Sequence, residues 1–354
     1  MTPISRRNVL AAAGVGGVIA ALNESMTLPV KSSEISAVRR GKIALEEHFS
    51  IRDLMPNAKE LTFFDPDTLA LIDPLLPELA EQRLAAMDAA GIQLSVLSQT
   101  GPGVQGVSNR SEATELAIRS NNTLWKAVQE NPTRFRGFAA VNLLDVNAAC
   151  QELKRCIQEL GFVGVLINGS TKGLYLDDPG LNLFWQTLEE LKVPLYLHPG
   201  IPTNHPASMV DELEGATWEW SFDTATQALR LIMKNIFERH PEAKVILGHM
   251  GENLPFYLWR LDSRFEITRY RSNLSAKPSD IFKKHFYITT SGVCDDAALK
   301  CSIDSIGANR IMFATDYPYE DIDFASRWIE AANIDDKAKA QICYSNAERI
   351  LKLY

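Results

Sequence analysis

Gly41-Lys42-Ile43-Ala44-Leu45-Glu46-Glu47-His48 is a short apolar run that ends in Glu-x-His. A strand alternates its side chains with a period of two, so Glu46 and His48 leave it on the same side and can chelate one point. The pattern recurs. Pro194-Leu195-Tyr196-Leu197 runs into His198, Lys244-Val245-Ile246-Leu247-Gly248 into His249, and Ile311-Met312-Phe313-Ala314-Thr315 into Asp316. Ligand-type residues repeating at the carboxyl ends of apolar runs describe the mouth of a (β/α)8 barrel, where that fold gathers its chemistry.

Working outward, eight strand-like runs are expected at 42–47, 94–99, 135–141, 163–168, 194–198, 244–248, 286–290 and 310–315. Amphipathic helical stretches separate them at 77–90, 111–131, 147–160, 180–191, 222–240, 253–269, 295–306 and 321–332, and a closing helix is expected at 336–353. Eight alternations select an α/β fold of the closed (β/α)8 TIM-barrel type over an open doubly wound sheet. Residues 41–354 are therefore expected to form a single barrel domain. Two stretches break the rhythm, 50–76 after the first strand and 201–220 after the fifth. Long loops on the catalytic face of a compact domain are commonly lids or binding loops, so both are expected to shape a substrate pocket.

The chain has 354 residues, 46% of them hydrophobic and 23% charged, which suits one large globular domain with a sizeable core. A net charge of −8 leaves no electrostatic footprint for nucleic acid, so an anionic substrate has to be met by local positive charge. Cys150, Cys156, Cys294, Cys301 and Cys343 are odd in number and form no C-x-x-C pair, which argues against a disulfide framework, and Cys150 and Cys156, in one expected helix, read as buried apolar filler.

Residues 1–40 read as a leader and linker. Ser5-Arg6-Arg7-Asn8-Val9-Leu10 opens a small-residue apolar stretch to Leu22, too short and too rich in Ala and Gly for a comfortable membrane span. This resembles a twin-arginine (Tat) export signal, although no A-x-A site follows Leu22. The expectation is export to the periplasm by the Tat machinery, on a route that resembles one used for proteins folded around a cofactor.

Glu46 and His48 on the first strand, His198 on the fifth and Asp316 on the eighth converge on one point. Carboxylate oxygens combined with imidazole nitrogens suit one divalent ion, Zn²⁺ or Mn²⁺, and do not choose between them. His249 reads either as a further nitrogen ligand or as a nearby acid/base, and Glu252, three residues on, could hold its imidazole in one tautomer. A lone strand-end histidine is ordinarily structural, but three of the chain's six share this address. His240, at a helix end, and His285, on the opposite face, read as structural, whereas His205 in the 201–220 loop is a candidate substrate contact.

Six segments carry a family resemblance: Gly41 to His48, Gly161-Phe162-Val163-Gly164, Tyr196-Leu197-His198-Pro199, Ile246-Leu247-Gly248-His249-Met250-Gly251-Glu252, Trp259-Arg260 and Phe313-Ala314-Thr315-Asp316-Tyr317-Pro318. In these the chain resembles the decarboxylase branch of the amidohydrolase superfamily, which includes the gamma-resorcylate and 2,3-dihydroxybenzoate decarboxylases. The resemblance implies that Glu46, His48, His198 and Asp316 bind the metal, that His249 and Glu252 form a proton-handling pair, and that Arg260 meets the substrate carboxylate or phenolate. Glu46-x-His48 replaces the H-x-H usual in the superfamily's hydrolases, which tilts the reading toward decarboxylation.

The expected reaction is nonoxidative decarboxylation of an ortho-hydroxybenzoate-type aromatic acid, with Asp316 protonating the ring carbon that carries the carboxylate. The chief alternative is metal-dependent hydrolysis of a lactone, ester or amide by an activated water, which the same ligands would serve. A third reading, a noncatalytic barrel that binds a small aromatic acid, leaves Asp316 and His249 without a purpose. The resemblance further implies a homodimer or homotetramer, with Trp218, Trp220 and Trp259 as candidate interface aromatics. It also implies a cytoplasmic location, against the leader.

Overall fold

The computed structural model describes residues 41–354 apart from 57–60, 62–63 and 204–208. Eight parallel strands follow one another around a barrel in sequence order: β1 Lys42–Phe49, β2 Ile92–Gln99, β3 Phe135–Ala139, β4 Gly164–Asn168, β5 Leu195–His198, β6 Val245–Leu247, β7 Phe286–Thr289 and β8 Ile311–Met312. β8 returns to β1 through Leu45 N donating to Phe313 O (3.2 Å), Asp316 N to Glu46 O (2.9 Å) and His48 N to Tyr317 O (2.7 Å). All eight expected strands are present, each within a few residues of its predicted bounds. They are buried on both faces because helices wrap the outside, which is why they read as near-continuous apolar runs.

The period of two divides the core in two. Ile43, Leu45, Leu94, Val96, Phe138, Leu166, Tyr196, Ile246, Tyr287 and Met312 fill the barrel interior, and Ile350, Leu351 and Leu353 join the same cluster. The alternate residues, among them Leu195, Leu197, Val245 and Leu247, face outward and pack with Leu153, Trp185, Leu231 and Phe282 from the helices.

β1 carries one irregularity that matters for the site. Ile43 pairs with Leu94 and Ala44 with Ser95, but Glu47 pairs with Leu97 and His48 with Ser98, so one extra residue of β1 is accommodated between Ala44 and Glu47. A β-bulge of this kind reverses the facing of every residue beyond it. Unbroken alternation from Ile43 and Leu45 would have turned Glu47 into the barrel; the bulge turns Glu46 and His48 inward instead.

Several helices differ from expectation. The 222–240 stretch is a helix Glu219–Met233 and a short helix Ile236–Arg239, separated where Asn235 takes a left-handed φ of 56°. The closing segment passes through a π-helical turn, Gln341–Ser345, between Asp336–Ala340 and Asn346–Leu351. Two helices were not expected, Pro66–Ile72 within the first long loop and Pro278–His285 before β7. At seven and eight residues, each is about two turns long, too short to display a hydrophobic period.

Candidate active site

At the C-terminal rim of the barrel, ligand atoms of Glu46, His48, His198 and Asp316 all lie within 4.8 Å of one another. His198 is fixed most tightly. Its Nδ1 lies 2.8 Å from Asn168 Oδ1 and 2.8 Å from the Pro199 carbonyl, two acceptors that require the proton on Nδ1. Nε2 points at Glu46 Oε1 only 3.2 Å away. Asn168, at the end of β4 and paired with His198 in register, was missed by sequence reasoning although its strand-end position marked it.

Glu46 is fully buried. Its Oε2 accepts from the hydroxyls of Tyr196 and Ser291 and, at 3.2 Å, from Thr289. Oε1 has no hydrogen-bond partner, and neither has the buried Nε2 of His48. Gly248 makes room for the carboxylate, since a Cβ there would stand 2.6 Å from Oε2. Glu46 Oε1 and His48 Nε2, two unbonded buried polar atoms beside the Nε2 of His198, form an arrangement that costs free energy until a cation sits among them. The donor set thus fits one divalent metal ion, and these four residues are the ones that would hold it.

Asp316 uses its two oxygens differently. Oδ1 lies 3.1 Å from His48 Nε2, and Oδ2 lies 3.5 Å from His249 Nε2. His249 Nδ1 is 2.8 Å from Glu252 Oε1, which leaves Nε2 facing the site centre. The expected proton-handling pair is therefore in contact. The turn that brings it together is unusual: His249, Met250, Gly251, Glu252 and Asn253 all have φ between 48° and 78°. Left-handed backbone costs a non-glycine residue roughly 1–2 kcal/mol, so the surrounding contacts must hold this turn in place.

Burial alone would raise the Glu46 carboxyl, but His249, His198 and His48 around it hold it well below the usual carboxylate range. Burial opposes charging of His249, yet Glu46, Glu252 and Asp316 raise it well above an ordinary imidazole. Asp316 is lowered against burial by His249 and His48. Glu47 behaves oppositely: burial pushes its carboxyl up to about 8 despite two hydrogen bonds from Thr315.

Above the ligands lies a cavity of about 190 Å³. Leu61, Phe64, Ile201, Trp220, Val293 and Tyr319 give it an apolar wall, and both long loops contribute, as expected. Tyr319 is pinned through its hydroxyl, 2.7 Å from Thr100 Oγ1. Among the described residues no lysine or arginine lines this cavity.

Arg260 is accordingly not brought to the site within this chain. It lies on the helix Leu254–Phe265, whose Leu254, Pro255 and Leu258 are buried, and two positions beyond Leu258 it falls on the solvent side. Trp259 on the same helix is 76% exposed and Trp218 48% exposed, whereas Trp220 joins the cavity wall. His240 is structural, stacked on Trp185 between Glu189 and Asn182, and His285 is buried against Phe237. His205 lies outside the described residues.

The gamma-resorcylate decarboxylase of Rhizobium radiobacter is 41% identical over 325 residues, covering 89% of this chain and 99% of that protein. The crystal structure of a 2,6-dihydroxybenzoate decarboxylase complexed with 2,6-dihydroxybenzoate superposes with a TM-score of 0.83 at 39% identity, over 88% of this chain and 99% of the other. The dihydroxybenzoic acid decarboxylase of Polaromonas sp. JS666, with bound manganese and the inhibitor 2-nitroresorcinol, gives 0.83 at 38% identity, over 89% and 97%. The family profile described as Amidohydrolase matches residues 55–353. With that match across the barrel, and a carboxylate-imidazole centre at the rim where the fold gathers its chemistry, the chain belongs to the amidohydrolase family.

Proposed function

We propose that this protein is a metal-dependent nonoxidative decarboxylase, a carboxy-lyase that acts on an ortho-hydroxybenzoate-type aromatic acid. The observation that carries the reading is Asp316, a ligand-type carboxylate whose second oxygen faces the His249–Glu252 pair beneath an apolar, ring-sized cavity. The relatives named above, which act on or bind dihydroxybenzoates, support the same substrate class.

A divalent ion held by Glu46, His48, His198 and Asp316 would supply the positive charge that neutralises the substrate's carboxylate and neighbouring phenolic oxygen. That role is the more necessary because no described lysine or arginine lines the cavity. Mn²⁺ is the ion we assign, in keeping with a ligand set that is half carboxylate and with the manganese of the Polaromonas relative. The apolar wall, with Tyr319 and Phe64 ring against ring at 6.0 Å, excludes water and orients the aromatic ring. Asp316 delivers a proton to the ring carbon that bears the carboxylate. The carbon–carbon bond then breaks, its electron pair restores the aromatic ring, and carbon dioxide leaves. His249, held by Glu252, returns a proton to Asp316 Oδ2.

The test is to incubate Mn²⁺-loaded protein with 2,6-dihydroxybenzoate and a panel of hydroxybenzoates, and to measure carbon dioxide and the matching phenol. Turnover of lactones, esters or amides with no carbon dioxide from any acid would overturn the reading in favour of hydrolysis.

Two further assignments belong to this proposal. The twin-arginine-like leader falls on residues outside those described, and we assign it export to the periplasm; its test is cell fractionation with Arg6 and Arg7 intact or both changed to Lys. We also assign a homo-oligomer, a dimer or tetramer, supported by Phe256 and Trp259, 80% and 76% exposed on one helix. Light scattering of the purified protein reads that directly.

A further inference from the structure

Glu47 is a buried carboxyl group at the rim that the reaction above does not use. The bulge in β1 turns it away from the barrel interior toward the segment that carries Asp316. Both of its oxygens go to one residue: Oε1 accepts from Thr315 N at 2.9 Å and Oε2 from Thr315 Oγ1 at 2.7 Å.

That segment needs holding. β8 is only two residues long, Ile311–Met312, so Phe313 to Tyr317 lies beyond its regular ladder. Asp316 itself sits at a φ of +69°, a left-handed conformation that an L side chain rarely adopts. Backbone bonds to β1 run through Phe313 O, Asp316 N and Tyr317 O, and side chains add to them on both flanks. On the β7 flank, Thr290 Oγ1 accepts from Ala314 N (3.1 Å) and donates to Ala314 O (3.0 Å). On the β1 flank, Glu47 grips Thr315. Arg83, fully buried, supports the same corner: its NH2 donates to the His48 carbonyl at 2.6 Å and its guanidinium lies 4.9 Å from the centre of the Tyr317 ring.

We propose that Glu47 is a positioning residue for the reaction: by gripping Thr315 it sets where the Asp316 carboxylate stands relative to His48, His249 and the substrate ring. The rate readout of this inference rests on the decarboxylase reading, whereas its spectroscopic readout does not. A displaced ligand group changes the ligand field of a transition ion bound there, and loss of a group that orients a ligand costs about 10- to 100-fold in affinity or activity.

The experiment compares wild type with E47L, E47Q, T315V and T315S, each saturated with Mn²⁺ for kinetics and with Co²⁺ for visible absorption. E47L is expected to lower kcat about 10- to 100-fold with KM little changed, and to shift the cobalt bands. E47Q keeps one acceptor for Thr315 N and is expected to fall between E47L and wild type. T315V, which loses only the hydroxyl bond, is expected to show a smaller defect that T315S restores. If E47L does not fold, E47Q and the Thr315 pair carry the comparison. Wild-type kcat and unshifted cobalt bands in the folded variants would overturn the inference, as would a lower melting temperature as their sole change. If wild type releases no carbon dioxide from any hydroxybenzoate, the functional reading fails, and the cobalt spectra still decide whether Glu47 positions Asp316.

Discussion

His198 Nε2 stands 3.2 Å from Glu46 Oε1, a buried carboxylate oxygen that has no hydrogen-bond partner. The relationship follows from the far side of the ring, where Asn168 and the Pro199 carbonyl both demand the proton of Nδ1. Metal removal should therefore be costly to the fold as well as to activity. Dialysis against a chelator is expected to abolish carbon dioxide release and lower the melting temperature, with both restored by Mn²⁺. At a metal concentration of about 100 times Kd, the stabilisation should be about 2.7 kcal/mol. A chelated protein with unchanged melting temperature and full activity would contradict this.

In the proposed reaction Asp316 binds metal through one oxygen and moves a proton at the other. In D316N the amide oxygen can still serve as a ligand, but no acidic proton remains. The expected outcome is a kcat loss of about 10²- to 10⁴-fold while metal analysis still finds about one ion per chain. Equal loss of metal and rate would mean that Asp316 is a ligand only.

Glu252 is expected to act through His249. In E252Q the amide can turn its NH2 toward Nδ1, so the imidazole is no longer compelled to keep its proton there and its Nε2 turned to the site. A kcat loss of about 10- to 100-fold is expected at saturating metal, with the Asn variant no better, because its shorter side chain does not span the 2.8 Å contact. Ring-nitrogen chemical shifts of His249 give the check independent of rate.

Gly248 is required by approach rather than by backbone conformation, since its φ of −72° is open to any residue. Its Cβ position is occupied by the Glu46 carboxylate at 2.6 Å. G248A is expected to push that carboxylate off the site centre, destabilise the protein by about 1–3 kcal/mol and weaken metal binding, read by chemical denaturation and by metal titration.

The pH dependence of stability should carry a signature of His285. Burial first, then Lys284 and Arg310, lowers its basicity, while Nδ1 donates to the Ala243 carbonyl at 2.9 Å. Its folded pKa lies below the unfolded value of about 6.5, so the unfolded chain binds the proton more readily. Its contribution is complete above pH of about 6.5 and is lost as pH falls through that value toward the folded pKa. Melting temperatures from pH 7.5 to 5 should fall less steeply in H285Q; an identical slope would exclude this source.

The sequence by itself determined the eight strands, their order and the rim address of Glu46, His48, His198, His249 and Asp316. Apolar runs buried on both faces and ended by ligand-type residues are a local signal, and a parallel barrel writes it eight times. Tertiary structure alone decided which of the adjacent Glu46 and Glu47 enters the barrel. The period of two running from Ile43 and Leu45 points Glu47 inward, and only pairing with β2 reveals the extra residue that reverses the facing. Arg83 and Asn168 became legible for the same reason, since their partners His48 and His198 lie 35 and 30 residues away in the chain. Arg260 marks the opposite limit: its motif was visible, but the phase of its helix, fixed by Leu254 and Leu258 packing on the barrel, turns it to solvent. Local periodicity sets which faces of an element can be buried, and pairing partners distant in sequence set which face the site receives.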